Sequence, residues 1–297
     1  MLELLLIPSL LGLGLAMDLF SGNDDDDQDD APIEITLPDD VPDFFGTAAM
    51  EHVTGNALDN LMVGGEGNDL LGGLDGNDTL IGGEGNDRLF AGAGSDAAIG
   101  GPGDDRVFLS DGADRSMPEP GSDDDAGDDL IRGGAASDTI LDGAGHNELY
   151  GDLGNDRLFA VDGLASDGSF DAAALGQTSD TLYGGYGDDL LVGDAGDVMT
   201  GGDGFDTFVV AAASEATGAP AILMDFDLRD DLFSVVLLDE PEEDPVIEFA
   251  HDPETDQLSA IVNGETVAIL HDITEADIPF IQTMVISLPA LMAGTAS

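Results

Sequence analysis

The sequence predicts an all-β solenoid, short strands stacked coil on coil and closed at the C-terminal end by a small β-rich cap. Three observations carry this prediction. A glycine turn and an aspartate return every nine residues, as in GGLDGNDTLIGGEGNDRLF over 72–90. An apolar residue follows each aspartate two places on. After Val210 the rhythm gives way to alternating stretches that read as strands.

The repeat is best seen by placing Asp78 at the sixth position of a nine-residue frame. Residues 55–108 then form six consecutive frames, and further frames run over 124–159 and 175–209. The sixth position reads Asn60, Asp69, Asp78, Asp87, Asp96 and Asp105, then Asp129, Asp138, Asn147 and Asp156, then Asp180, Asp189, Asp197 and Asp206. One frame, between Asp189 and Asp197, is a residue short. The eighth position was not used to set the frame, and it is apolar throughout, from Met62 and Leu71 to Met199 and Phe208. A flexible Gly/Asp-rich tail has no reason to keep that offset. Glycine at the start of each frame reaches positive φ at little cost and lets the chain turn tightly. A single frame cannot bury its apolar side chain, but stacked frames can.

The composition needs an explanation beyond packing. The 297 residues include 64 acidic and six basic side chains, all six of them Arg, for a formal net charge of −58. Such a chain repels nucleic acid and opposes its own compaction. Yet it is 42% hydrophobic, too apolar for a typical acidic disordered chain. Bound cations reconcile the two facts, and hard divalent ions suit carboxylate and carbonyl oxygens. With no Cys there is neither a disulfide framework nor a thiolate metal site.

GGEGNDRLF (82–90) and GGYGDDLLV (184–192) fit Gly-Gly-x-Gly-x-Asp-x-U-x, where U is apolar. The sequence therefore resembles the RTX, or hemolysin-type, calcium-binding repeat proteins over residues 55–209. The resemblance implies a Ca²⁺-stabilised parallel β-roll with two nonapeptides per coil and several Ca²⁺ ions between stacked turns. Carried over position by position, the implied metal ligands are Asp69, Asp78, Asp87, Asp96, Asp105, Asp129, Asp138, Asp156, Asp180, Asp189, Asp197 and Asp206. With them come the turn glycines Gly65, Gly67, Gly76, Gly83, Gly85, Gly94, Gly103, Gly185, Gly187 and Gly204. Stacked turns lie eighteen residues apart, pairing Asp69 with Asp87, Asp78 with Asp96, Asp87 with Asp105 and Asp138 with Asp156. The short frame pairs Asp180 with Asp197 and Asp189 with Asp206, seventeen apart. Without an ion, two carboxylates about 4 Å apart repel by roughly 4 kcal/mol at an effective dielectric near 20. Summed over several pairs, this rivals a domain's net stability of about 5–15 kcal/mol, so the roll is expected to fold on binding Ca²⁺. Asn60 and Asn147 lack the charge and imply weaker sites. Ala136 and Thr178 stand where the fourth-position glycine belongs and imply strained turns.

The remaining segments divide as follows. Residues 1–20 are an apolar N-terminal segment. Its run Leu4–Met17 is short for a membrane span of about 20 residues, and Glu3 stands where a secretory signal carries basic residues. Residues 21–54 read as an acidic linker and lead-in. The stretches 109–123 and 160–174 interrupt the frames and read as surface loops. Residues 210–297 read as the β-rich cap, with Asn263-Gly264 as a hairpin turn.

No catalytic set is found. None of the four histidines has a partner at His-Glu-x-x-His spacing, and no serine sits in Gly-x-Ser-x-Gly. The third position reads Glu66, Asp75, Glu84, Ala93 and Pro102, not the threonine that a flat ice-binding face needs. The expectation is a non-enzymatic, secreted Ca²⁺-binding protein with a structural, matrix or surface role. The resemblance adds the type I secretion machinery as a partner, with its signal in the C-terminal region. Alternatives are an interaction or adhesion module that uses the inserted loops, and anchoring to a membrane or cell surface through residues 4–17. An RTX-linked enzyme with an unrecognised active site has the least support.

Overall fold

A computed structural model describes residues 32–118, 127–163, 174–212, 218–237, 247–255 and 257–271, together with 273, 277–278, 281 and 283–285. The N-terminal apolar segment, the acidic run before Pro32 and the end of the chain after 285 lie outside the described residues.

The strands form two sheets, of thirteen and eleven strands, and from Ile33 to Leu237 successive strands alternate between them, so each coil contributes one strand to each. Pairing in this part of both sheets is parallel. In the first sheet Leu71 lies opposite Leu89, and Leu89 opposite Val107. In the second, Met62 lies opposite Leu80, and Leu80 opposite Ala98. The inward side chain of nearly every repeat strand is the eighth-position residue. All fourteen of these, from Met62 to Phe208, are at most 3% exposed. Burying each aliphatic side chain contributes about 1.5–3 kcal/mol. The core is one residue wide between the sheets, so one apolar residue per nine is enough.

The roll extends beyond the repeat frames in three places. At the N-terminal end, Ile33–Thr36 pairs in parallel with Glu51–Thr54, and Asp43–Phe45 with Leu61–Glu66. The lead-in is therefore part of the roll from Ile33. Within the first interruption, Arg115–Ser116 pairs with strands on both sides, and Leu109 is fully buried. Residues 109–117 are thus a seventh consecutive half-turn, not a loop. Its eighth position is Ser116, a polar residue that hid the frame. At the C-terminal end, Leu232–Leu237 continues the second sheet and Ala221–Leu223 the first. Both interruptions are bridged in register: Val107 lies opposite Ile131, and Leu149 opposite Leu182.

The cap forms as a meander. Ile247–Asp252, Gln257–Val262 and Glu265–Leu270 pair antiparallel, and the last strand joins Ala221–Leu223 in parallel. Asn263 and Gly264 both take positive φ, 53° and 91°, as a two-residue hairpin turn requires.

The outer face of the first sheet carries a column in register: Phe90, Phe108, Arg132, Tyr150 and Tyr183. Phe90 stacks on Phe108 at 4.9 Å, and Tyr150 on Tyr183 at 4.7 Å. The Arg132 guanidinium lies over the Tyr150 ring and pairs with Asp152. On the outer face of the second sheet, Leu141, Phe159, Val192, Val209 and Val236 form a second apolar cluster.

Candidate metal-binding ladders

The sixth-position residues lie at the same point of their half-turns, between the glycine turn and the next strand. Apart from the ladder ends Asn60 and Asp197, each donates its main-chain N–H to the next coil and reaches back with its side chain toward the preceding one. The result is two continuous ladders. In the first, the N–H of Glu51 donates to Oδ1 of Asp69, and the chain of bonds continues through Asp87, Asp105, Asp129, Asn147, Asp180 and Asp197 at 2.6–2.9 Å. The second starts at the N–H of Asn60 and runs through Asp78, Asp96, Asp114, Asp138, Asp156, Asp189, Asp206 and Asp231 at 2.7–3.0 Å. All twelve aspartates singled out from the sequence are in these ladders, and the six stacked pairs are neighbours as expected.

Three members were missed. Glu51 precedes the first frame, Asp114 lies in the half-turn hidden by Ser116, and Asp231 follows the break after Phe208. Each is followed two residues later by a buried side chain, Val53, Ser116 and Phe233. For Glu51 and Asp231 that offset was a usable signal.

The ladders use only one carboxylate oxygen. Oδ2 of Asp69, Asp78, Asp87, Asp96, Asp114, Asp138, Asp156 and Asp189 is buried with no hydrogen-bond donor. Five residues before each stands a glycine, except before Asp96 and Asp114, where Ala91 and Leu109 take that place. A methyl placed on Gly64, Gly73 or Gly133 would fall 2.1–2.4 Å from Oδ2 and 2.5–2.8 Å from a carbonyl oxygen of the next coil. Anionic and carbonyl oxygens thus face one another where no N–H reaches. A buried acceptor left unmatched costs about 1–3 kcal/mol, and more if charged.

Desolvation marks the same atoms. Burial pushes the carboxyls of Asp69, Asp78, Asp87, Asp114, Asp156 and Asp189 up to about 6. Asp206 rises to about 7 and Asp138 to about 8, again chiefly through burial. Burial thus disfavours the charged form at every one of these carboxyls; most still ionise at neutral pH, while Asp138 keeps its proton unless a cation balances it. An oxygen-only donor set of this kind fits a hard divalent ion, and Ca²⁺ takes six to eight such oxygens with flexible geometry. Among the described residues no three Asp, Glu or His side chains converge as a metal site. An ion held here would therefore complete its shell with main-chain carbonyls.

The turn glycines supply that backbone. All ten singled out have positive φ, from 112° at Gly83 to 155° at Gly204. At Gly83 and Gly85 a side chain would also collide with the preceding coil, 2.0 Å from the Gly65 carbonyl oxygen and 1.8 Å from that of Gly67. Ala136 keeps the conformation with φ 86°, the strain expected of it. Thr178 does not. Its N–H donates instead to Asp162 at 2.9 Å.

The two asparagines are handled differently. Nδ2 of Asn60 donates to Asn56 Oδ1 at 3.2 Å. Nδ2 of Asn147 donates to Asp142 at 3.3 Å, so a carboxylate at the first position of that half-turn stands in for the missing one. Near the shortened frame, Asp194 accepts the N–H groups of Asp162 and Gly176, while its own N–H donates to Asp197 at 2.6 Å. Burial, with mutual repulsion, raises Asp180, Asp194 and Asp197 to about 8.

The family description "RTX calcium-binding nonapeptide repeat (4 copies)" matches residues 45–80, 54–89, 81–116, 120–158 and 176–208. The chain is an RTX repeat protein. The matches follow the ladders closely, taking in Glu51 and, at the edge of 81–116, the half-turn of Asp114. The calcium-binding nonapeptides of the RTX array thus fall within the parallel β-roll, which extends beyond them at both ends. No curated protein matches the chain.

An outer pair of ladders, not foreseen from the sequence, flanks the aspartates. At the fifth position the hydrogen bonds run the opposite way: the N–H of Asn86 donates to Asn68 Oδ1, and that of Asp104 to Asn86 Oδ1. Asn77, Asp128, Asn155 and Asp188 repeat the pattern. This explains why Asn, Asp, Ser and His recur beside the sixth-position carboxylate.

Proposed function

We propose that this RTX protein is a non-enzymatic, extracellular structural protein whose roll assembles when several Ca²⁺ ions fill the two columns of aspartates. The observation that carries this reading is the row of buried Oδ2 atoms without donors, held in place by ladders that engage only Oδ1. Asp69, Asp78, Asp87, Asp138, Asp156 and Asp189 would supply carboxylate oxygens, and the glycine turns would supply carbonyls. The bound ion would neutralise charge that otherwise drives the coils apart. Low Ca²⁺ inside a cell keeps such a chain unfolded and exportable by a type I system, and higher Ca²⁺ outside folds it. The non-enzymatic part of the proposal is supported by the histidines. His52 faces Glu34, and His146 is a rung of an outer ladder. No helix among the described residues is long and apolar enough to cross a membrane. The test is a Ca²⁺ titration of metal-free full-length protein followed by far-UV circular dichroism, with Mg²⁺ as control. A cooperative gain of β signal with Ca²⁺ is expected. A spectrum unchanged by Ca²⁺ would remove the ion from the folding of this protein.

A further inference from the structure

The half-turns are not equivalent. At Gly64, Gly73, Gly82, Gly100, Gly133, Gly151, Gly184 and Gly201 a side chain would fall 2.1–2.5 Å from Oδ2 of the aspartate five residues on. The carboxylate oxygen occupies the place of the absent Cβ. Three half-turns of the second ladder break this rule, two of them inside it and the third at its C-terminal end. Ahead of Asp96 stands Ala91, and ahead of Asp114 stands Leu109; both are fully buried in the main core.

We propose that the first residue of a half-turn decides whether it holds a calcium ion, and that Ala91 and Leu109 leave two consecutive gaps in the second column. This rests on the calcium reading above. Two independent features support it. In these same half-turns the eighth position shrinks to Ala98 and Ser116, whereas neighbouring half-turns carry Leu80, Leu89, Val107 and Ile131 there. Core volume has moved from the strand to the first position, so Oδ2 of Asp96 and Asp114, buried without a donor like the others, has an apolar side chain five residues before it instead of the glycine that leaves room for an ion's oxygens. The ladder itself continues unbroken, with Asp78 and Asp96 donating to the next Oδ1 at 2.7 Å each. These coils are therefore held in register by the same hydrogen bonds as the rest of the roll. Phe226 takes the corresponding place ahead of Asp231 and packs edge-on against Phe208, closing the column at its C-terminal end. Leu175, ahead of Asp180, packs on the outer apolar cluster instead and leaves the core side open. Calcium in the second column is thus divided into a short block at Asp78 and a longer one from Asp138 to Asp206.

The test counts ions on the calcium-saturated full chain by native mass spectrometry, with circular dichroism as the check on folding. Ala91→Gly is expected to gain one ion per chain, and Gly82→Ala to lose one. Leu109→Gly should also gain one; because it removes a core side chain, Ala91→Gly decides the matter if that variant does not fold. A folded Ala91→Gly with the wild-type count would overturn the inference. A wild-type protein that binds no calcium at all would instead overturn the proposed function.

Discussion

The N–H of Asp69 donates to Oδ1 of Asp87 at 2.7 Å, one full coil further along the roll. The two oxygens of Asp87 are thereby made unequal. One oxygen holds the neighbouring coil, while the other is buried with no donor. On the proposed calcium reading, structural and ion-binding roles are divided between two atoms of one side chain, so substitutions can separate them.

Asp87→Asn keeps an acceptor for the Asp69 N–H but removes a buried charge. In metal-free conditions this variant should be as stable as the wild type or more so. In saturating Ca²⁺ the order should reverse. Asp87→Ala should be less stable in both, by about 1–3 kcal/mol from the unmatched N–H alone. Chemical denaturation with and without Ca²⁺ checks the crossing; parallel behaviour of the Asn and Ala variants would contradict the division of roles.

The metal-free roll should respond to pH in the opposite sense to an ordinary salt-bridged protein. Burial raises Asp78 and Asp87 from 3.8 to about 6, and Asp138, Asp180 and Asp197 to about 8. The folded state then binds more protons than the unfolded chain between these values. Stability is fully present below pH 4 and declines as pH rises through 6 to 8. Far-UV circular dichroism of metal-free protein across pH 4–9 should show the β signal present at the acid end and lost over this window. Adding Ca²⁺ at pH 7 should restore it and release protons.

Leu74, Ser110 and Asp152 hold positive φ at the second position of their half-turns, and Ala136 does so at the fourth. This backbone costs a non-glycine residue about 1–2 kcal/mol. Leu74 is also 51% exposed, so its side chain gives little back. Leu74→Gly and Ala136→Gly should each stabilise the calcium-loaded protein by about 1 kcal/mol, read as a raised Tm. The converse change, Gly83→Ala, should destabilise it strongly, since the new methyl would lie 2.0 Å from a carbonyl oxygen.

The stacked rings outside the first sheet should couple energetically. A double-mutant cycle on Phe90 and Phe108 is expected to give about 0.5–1.5 kcal/mol beyond the loss of buried area. Strict additivity would mean that the column is only a consequence of register.

Much of this molecule is legible along the chain because its contacts repeat at a fixed separation. The nine-residue period, the glycines with positive φ and the apolar eighth position follow from local steric and packing demands that any single frame displays. The Asn263-Gly264 hairpin is equally local. Glu51, Asp114 and Asp231 were harder to see because they fall where the pattern weakens, and Ser116 breaks the very offset that validated the frame.

The sequence by itself determined the coil: its period, its turn geometry, its narrow core and the aspartates that line it. Only the tertiary structure decided which aspartates join, since the bonds from Asp105 to Asp129 and from Asn147 to Asp180 cross insertions of arbitrary length. It alone separated Oδ1 from Oδ2, and it alone revealed the outer ladders and the apolar side chains beside Asp96 and Asp114. The reason is physical. A hydrogen bond or a close contact between coils depends on two segments arriving at the same height of the roll, and that height is set by stacking rather than by distance along the chain.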